Sequence, residues 1–125
     1  MENENFSLNK RLQSFKHAFN GFKILLKQEH NARLHLSITV LVVVLGFVFE
    51  LEVWEWLFIV FAIGFVFSAE IFNTCIEEIC DFICPEQDAR IKKIKDLAAM
   101  AVMFSAITSV VIGLIIFLPK LLLLF

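Results

Sequence analysis

Three long apolar runs constrain the fold of this chain more than any other feature, at about residues 34–49, 54–76 and 98–118. About 20 apolar residues can cross a bilayer as a helix, and a helix satisfies its own backbone hydrogen bonds without water. Hydrophobic residues make up 59% of the 125 residues, and the mean hydropathy of +0.80 is far above that of a soluble domain. The sequence therefore predicts an all-α integral membrane protein with three transmembrane helices, in a single domain over residues 1–125.

The distribution of basic residues predicts the orientation of these spans. Six Lys or Arg residues precede the first apolar run, and four lie between residues 90 and 95. Residues 50–56, between the first two runs, contain none. Because short cytoplasmic segments are enriched in Lys and Arg, we expect the N-terminus and a loop over residues 84–97 to be cytoplasmic. The C-terminus would then lie outside.

Residues 6–30 form an amphipathic pattern before the first span. A basic amphipathic helix of this kind is typical of a membrane surface, although a plain membrane anchor is an open alternative. The third span is expected to end at Pro119 and Lys120, because proline disrupts helices. The apolar positions of the surface helix recur at helical spacing: Phe6, Leu8, Leu12, Phe15, Phe19, Phe22, Leu25 and Leu26.

A polar stripe runs along the second predicted helix, which we expect to extend past its span to residue 84. Its members, Glu70, Asn73, Glu77 and Asp81, are spaced 3, 4 and 4 residues apart and so share one helix face. An ionisable residue inside a span costs about 2.5 to 3.5 kcal/mol at the centre of a membrane and indicates a functional site. The alternative is that these side chains only join helices by hydrogen bonds. We also expect three helices to leave the stripe open to lipid unless a partner helix covers it.

The charges around this stripe suit phosphoryl transfer. Mutual repulsion among carboxylates is relieved by a divalent cation, and Mg²⁺ binds one or two carboxylates together with phosphate oxygens. Glu77 and Glu29 are the predicted ligands. The basic cluster at residues 90–95 could hold a polyphosphate, although cytoplasmic loops are commonly basic in any case. The sequence has no Walker or protein-kinase nucleotide motif.

These residues resemble those of the prokaryotic diacylglycerol kinase family. The resemblance implies an ATP-dependent kinase in a bacterial cytoplasmic membrane, built as a homotrimer with active sites between neighbouring chains. It covers nearly the whole chain. It rests on Glu70-Ile71-Phe72-Asn73-Thr74-Cys75-Ile76-Glu77, on Asp81, on Lys95-Asp96 before an Ala-rich helix, and on Gly21 and Glu29.

Two features are similar to the undecaprenol kinase branch of that family. One is the E-x-x-x-R-x-H pattern formed by Glu29, Arg33 and His35, and the other is the absence of a serine at Ala99. Undecaprenol is therefore the expected substrate, with diacylglycerol as the alternative. A non-catalytic oligomer, such as a channel or transporter subunit, is the alternative from another class.

The resemblance also implies a role for each site residue. Glu70 would be the general base, and Glu29 and Glu77 would hold Mg²⁺. The lipid would be contacted by Arg33, His35, Glu70, Asn73 and Ala99, with Asn73 also supporting Glu70. ATP would be contacted by Lys10, Arg11, His17, Glu29, Glu77, Glu86, Gln87, Asp88, Lys95 and Asp96, although Glu86, Gln87 and Asp88 depart from the more aromatic version common in relatives.

Overall fold

The computed structural model describes residues 7–125 and contains four helices. They are α1 (Leu8–Gln28), α2 (His30–Val48), α3 (Val53–Ile83) and α4 (Ala89–Leu122). The expected all-α class is confirmed, and α2, α3 and α4 are each long and apolar enough to cross a membrane. Most of their large apolar side chains point outward, which is the arrangement that a lipid-facing surface requires. Phe6, the first residue of the predicted surface helix, lies outside the described residues.

A single residue, Glu29, joins α1 to α2. Its backbone is extended, with φ −108° and ψ 114°, and it caps both helices at once. Its N–H donates to the Leu25 carbonyl at 2.9 Å, and its own carbonyl accepts from the Arg33 N–H at 3.4 Å. The side chain of Glu29 therefore projects from a joint whose backbone is held on both sides.

The most extensive helix contact is that between α3 and α4. These two helices form a hairpin closed by residues 84–88, and we call this end of the bundle the loop end. The opposite end, where residues 49–52 connect α2 to α3, we call the turn end. Leu51, Ile59 and Ile116 form a buried apolar cluster at the turn end. Farther along the hairpin, the Ser109 hydroxyl donates to the Ala62 carbonyl at 3.3 Å.

The expected loop over residues 84–97 is wrong for most of its length, because α4 begins at Ala89. Asp88 caps the helix by accepting from the Arg90 N–H at 2.8 Å, as Asp commonly does at an N-cap. One turn later, Lys92 pairs with Asp96 at 2.6 Å in an i,i+4 arrangement, which stabilises helices. The basic segment is thus a rigid helical extension below the apolar part of α4.

The expectation that Pro119 ends the last helix is also wrong, since α4 continues to Leu122. Proline cannot donate a backbone hydrogen bond, but its φ suits a helix and its carbonyl still accepts. Here the Pro119 carbonyl accepts from the Leu123 N–H at 3.2 Å. This extra turn carries Lys120 toward α3, where its Nζ lies 3.2 Å from Glu55.

Candidate active site

Glu70 is the most deeply buried acidic residue of α3, with only 1% of its surface exposed. Its Oε1 lies 3.1 Å from Nε2 of His35 on α2. The expectation that three helices leave the polar stripe open to lipid is therefore wrong for Glu70, whereas Asn73 and Glu77 are half-buried and Asp81 is exposed. The physical reason is that α2 packs against α3 and supplies a polar partner, so enclosure does not depend on a second chain.

The direction of the His35–Glu70 hydrogen bond follows from the protonation of the two groups. With Glu70 as a carboxylate, which can only accept hydrogen bonds, Nε2 of His35 is the donor to Oε1 of Glu70. Within the part of the chain that the structure describes, Oε2 of Glu70 has no hydrogen-bond partner. The carboxylate is thus held through Oε1, while Oε2 can still accept a hydrogen bond.

An apolar groove adjoins this pair. It begins at His35 and runs between α2, α3 and α4, with a volume of about 310 Å³. Small residues leave the space, and Ala62, Ala106 and Gly113 are among those that line it. A Cβ added at Gly113 would meet nothing within 4 Å. Apolar space therefore lies directly beside the polar His35–Glu70 pair.

The next part of the stripe is formed by Asn73 and Glu77. The Asn73 amide donates to Oε1 of Glu77 at 3.5 Å, so its described hydrogen bond goes to Glu77, whereas the resemblance implied support of Glu70. Two buried oxygens, Asn73 Oδ1 and Thr74 Oγ1, have no partner among residues 7–125. Buried polar atoms are normally satisfied, so these two oxygens are exceptions among the described residues.

At the loop end the stripe meets the start of α4. Lys95 donates to Asp81 at 2.5 Å, which joins α3 to α4 beyond the apolar spans. A cavity of about 600 Å³ lies beside this pair. The structure therefore brings together the five loop-end residues predicted to contact ATP, because the cavity is lined by Glu86, Gln87, Asp88, Lys95 and Asp96.

Three ion pairs lie around this cavity: Arg90–Asp88, Lys92–Asp96 and Lys95–Asp81. Hydrogen bonds from Arg90 lower the pKa of Asp88 below its ordinary value, and the Asp88 side chain raises the pKa of Arg90. The hydrogen bond to Asp81 likewise raises the pKa of Lys95, which precedes the apolar part of α4. These pairs are exposed, so water screens them and each contributes little to stability. The basic side chains beside the cavity are therefore held only weakly by their carboxylate partners.

The structure does not join the remaining predicted residues to this site. Lys10, Arg11 and His17 are exposed on α1, and about 28 Å of helix separates Lys10 from Glu29. Glu29 itself is half-buried at the α1–α2 joint. Among the described residues, no group of three or more His, Cys, Asp or Glu side chains could hold a metal ion. Arg33 and Ala99 are exposed on α2 and α4.

The hydrogen bond between His35 and Glu70 was not predicted from the sequence, because the resemblance implies only a lipid contact for His35. A signal for it exists. His35 is the one titratable residue in the first predicted span, residues 34–49. Between residues 57 and 76, Glu70 is the one titratable residue other than a cysteine. Ionisable side chains inside a membrane usually pair with one another, so two such residues in adjacent spans predict a contact.

Comparison with known proteins gives the family. The model of the family described as "Prokaryotic diacylglycerol kinase" matches residues 16–117. An undecaprenol kinase of Bacillus subtilis is 41% identical over 114 residues, which covers 91% of this chain and 93% of the relative. A diacylglycerol kinase of Synechocystis sp. is 31% identical over 112 residues, or 89% of this chain and 64% of the relative. A non-catalytic channel subunit is not favoured by these matches, and we conclude that the chain belongs to the prokaryotic diacylglycerol kinase family and is a lipid kinase.

Proposed function

We propose that this protein transfers the γ-phosphate of Mg·ATP to the hydroxyl of undecaprenol in the bacterial cytoplasmic membrane. The observation that carries the proposal is the buried Glu70 carboxylate, held by His35 at 3.1 Å next to an apolar groove. A carboxylate positioned beside an apolar groove is suited to the deprotonation of a membrane alcohol. The 41% identity to the Bacillus relative, over nearly the full length of both chains, supports undecaprenol.

Diacylglycerol is the second candidate substrate. The 31% identity to the Synechocystis relative supports it, as does the description of the family. Both lipids present a primary alcohol at the membrane surface, so the same base and the same nucleotide site would serve either one. They differ in the tail, and the apolar groove beside His35 is where the two tails would be distinguished.

The acceptor half of the reaction follows from the environment of Glu70. In this proposal Glu70 takes the proton of the lipid hydroxyl, and the oxygen attacks the γ-phosphorus of ATP as the bond to the β-phosphate breaks. ADP leaves with the negative charge. The unsatisfied Oδ1 of Asn73 would accept a hydrogen bond from the lipid hydroxyl or headgroup. Arg33 and Ala99 complete the proposed lipid contacts.

The donor half lies toward the loop end. Glu77 is two helical turns beyond Glu70, about 10 Å along the axis, which matches the distance between an acceptor hydroxyl and the outer phosphates. Carboxylates are the ligand class that Mg²⁺ prefers, so Glu77 and Glu29 fit this ion, which would neutralise charge on the phosphates. The cavity bounded by Lys95, Asp96 and residues 86–88 would receive the nucleotide, with Lys10, Arg11 and His17 contributing from α1.

The assembly and placement in the membrane complete the proposal. We expect a homotrimer with sites between neighbouring chains, α1 lying on the cytoplasmic surface, and the loop end in the cytoplasm. The exposure of Lys10, Arg11 and His17 supports shared sites, because these residues remain accessible to a neighbouring chain. The basic residues at the loop end support the orientation.

The decisive experiment supplies purified protein with radiolabelled ATP and Mg²⁺, together with undecaprenol and diacylglycerol in the same detergent or vesicle. We expect label in undecaprenyl phosphate, formed at least tenfold faster than phosphatidic acid. Faster labelling of diacylglycerol would assign the second substrate. Absence of label in every lipid alcohol of a wider panel would overturn the proposed activity.

Shared sites can be tested by mixing two inactive variants. Glu70→Gln removes the proposed base on α3 and Lys10→Met removes a proposed ATP contact on α1, so each variant alone should lose activity. If sites combine residues of neighbouring chains, co-assembled mixtures should recover measurable activity. If every site is built within one chain, mixtures should remain as inactive as their components.

A further inference from the structure

The support of Glu70 is unusually sparse for a carboxylate in its position. The side chain of Glu70 is 2% exposed, and that of His35 is 19% exposed. Burial of a carboxylate is costly without hydrogen bonds, and within residues 7–125 the His35 Nε2–H is the one donor to Glu70. The position of the carboxylate therefore depends on one side chain of a different helix.

The backbone that carries this side chain is helical. His35 lies in the second turn of α2, and its backbone carbonyl accepts from the Thr39 hydroxyl at 2.7 Å. The hydrogen bond from His35 fixes Oε1 of Glu70, and the planar carboxyl group then fixes the direction of Oε2. In the absence of the donor, the carboxylate can rotate about its side-chain bonds, and Oε2 loses its defined direction.

We propose that His35 is a positioning residue that acts through Glu70, holding the carboxylate so that Oε2 faces the lipid hydroxyl. This inference rests on the proposed function, and it replaces the lipid contact that the resemblance implied for His35. A lipid contact contributes to substrate binding and changes KM, whereas a group that orients the base changes kcat. Displacement of a reacting group by about 1 Å can cost about a hundredfold in rate.

Two amide variants of His35, which differ in the length of the side chain, separate the positioning role from the lipid contact. His35→Gln places an N–H donor close to the position of Nε2, so we expect kcat within about threefold of wild type. His35→Asn retains the same amide on a shorter side chain that cannot reach Oε1, and we expect kcat to fall about 30-fold. The KM for the lipid should change less than threefold in both variants. Equal kcat values for the two variants, or a change confined to KM, would overturn the proposal.

A double-variant comparison tests whether His35 acts through Glu70. If it does, adding His35→Asn to Glu70→Gln should not lower the residual turnover further, because the group being oriented is already gone. An additional 30-fold loss would show a role independent of Glu70 and would contradict the inference. Thermal unfolding of every variant in the same detergent separates loss of orientation from loss of folding.

The matched control is His30→Asn, which makes the same substitution at the first, exposed position of α2. We expect wild-type kcat and KM from it. Failure of the proposed function is recognised separately, since wild-type protein would then label no lipid alcohol. Failure of this inference leaves wild-type activity intact and shows no difference between the Gln and Asn variants of His35.

Discussion

Helix α3 carries two buried glutamates whose surroundings differ. Glu55 at the turn end is 6% exposed, and both of its oxygens have partners. Its Oε2 accepts from the Glu52 N–H at 2.9 Å, and its Oε1 lies 3.2 Å from Lys120. Glu70, 15 residues later in the sequence, is 1% exposed, and only its Oε1 has a described partner.

Under the proposed function, this difference distinguishes a structural carboxylate, Glu55, from the proposed base, Glu70. At Glu55 the capping box and the ion pair use the whole carboxyl group to fix the start of α3 and the end of α4. At Glu70 the residue is enclosed equally well, but one oxygen remains available, and the unpaired Asn73 and Thr74 oxygens follow on the same helix. Burial alone would have ranked the two residues together, whereas their hydrogen bonds separate them.

The largest expected effect is on turnover at Glu70. Glu70→Gln preserves shape but removes the base, and general base catalysis contributes about 10² to 10⁴-fold. We therefore expect lipid phosphorylation to fall about a thousandfold, with nucleotide binding within twofold of wild type. Steady-state labelling of lipid together with ATP titration measures both quantities. Turnover within tenfold of wild type would remove Glu70 from the chemistry.

Glu55→Gln is the matched control, because it makes the same change in a glutamate of similar burial on the same helix. Its effect should be on stability, with turnover per folded molecule close to that of wild type. If both substitutions reduced turnover equally without unfolding the protein, the distinction drawn between the two carboxylates would be lost.

The second-largest expected effect is a loss of stability when the ion pair at the turn end is broken. Lys120→Met retains the apolar stem of the side chain but leaves the Glu55 carboxylate buried without its cation. Breaking a partly exposed pair of this kind should cost about 2 to 3 kcal/mol. Reversible unfolding in mixed micelles of increasing denaturing detergent would measure the loss. A loss below about 0.5 kcal/mol would mean that Lys120 contributes no more than an exposed pair does.

A smaller effect, on the Mg²⁺ dependence of activity, is expected at Glu77. This residue lies on the same face of α3 as Glu70 but is only half-buried. Glu77→Gln removes one proposed Mg²⁺ ligand and retains a neutral oxygen. We expect the Mg²⁺ concentration for half-maximal activity to rise about tenfold, equivalent to about 1.4 kcal/mol. Asp81→Asn, one turn farther along, provides the comparison, and an equal shift in both variants would point to general electrostatics.

The sequence was sufficient for the parts of the molecule that obey simple periodicity. Apolar length predicted the three membrane helices, and the 3, 4 and 4 spacing predicted that Glu70 and Glu77 lie on one face. The sequence was not sufficient where a contact depends on how two helices pack. The Lys120–Glu55 pair requires α4 to continue through Pro119, and the His35–Glu70 pair requires knowledge of how α2 lies against α3. The predicted loop over residues 84–97 was too long, because a basic composition does not indicate that a helix begins after an N-cap at Asp88.

The smallest expected effect lies in the backbone of the turn end, at Glu50. Glu50 has φ 51°, and the Leu51 N–H donates to the Gly46 carbonyl at 3.1 Å, which is the arrangement of a helix ending in a left-handed residue. Glycine adopts this conformation without the cost of about 1 to 2 kcal/mol that a side chain incurs. Part of that gain is offset by the greater freedom of glycine in the unfolded chain. Glu50→Gly should therefore stabilise the protein by about 0.5 to 1 kcal/mol in the same unfolding assay and leave lipid phosphorylation unchanged, because this end of the molecule contributes structure and no chemistry. Reduced turnover in a stabilised Glu50→Gly protein would show that the turn end is coupled to the Glu70 site after all.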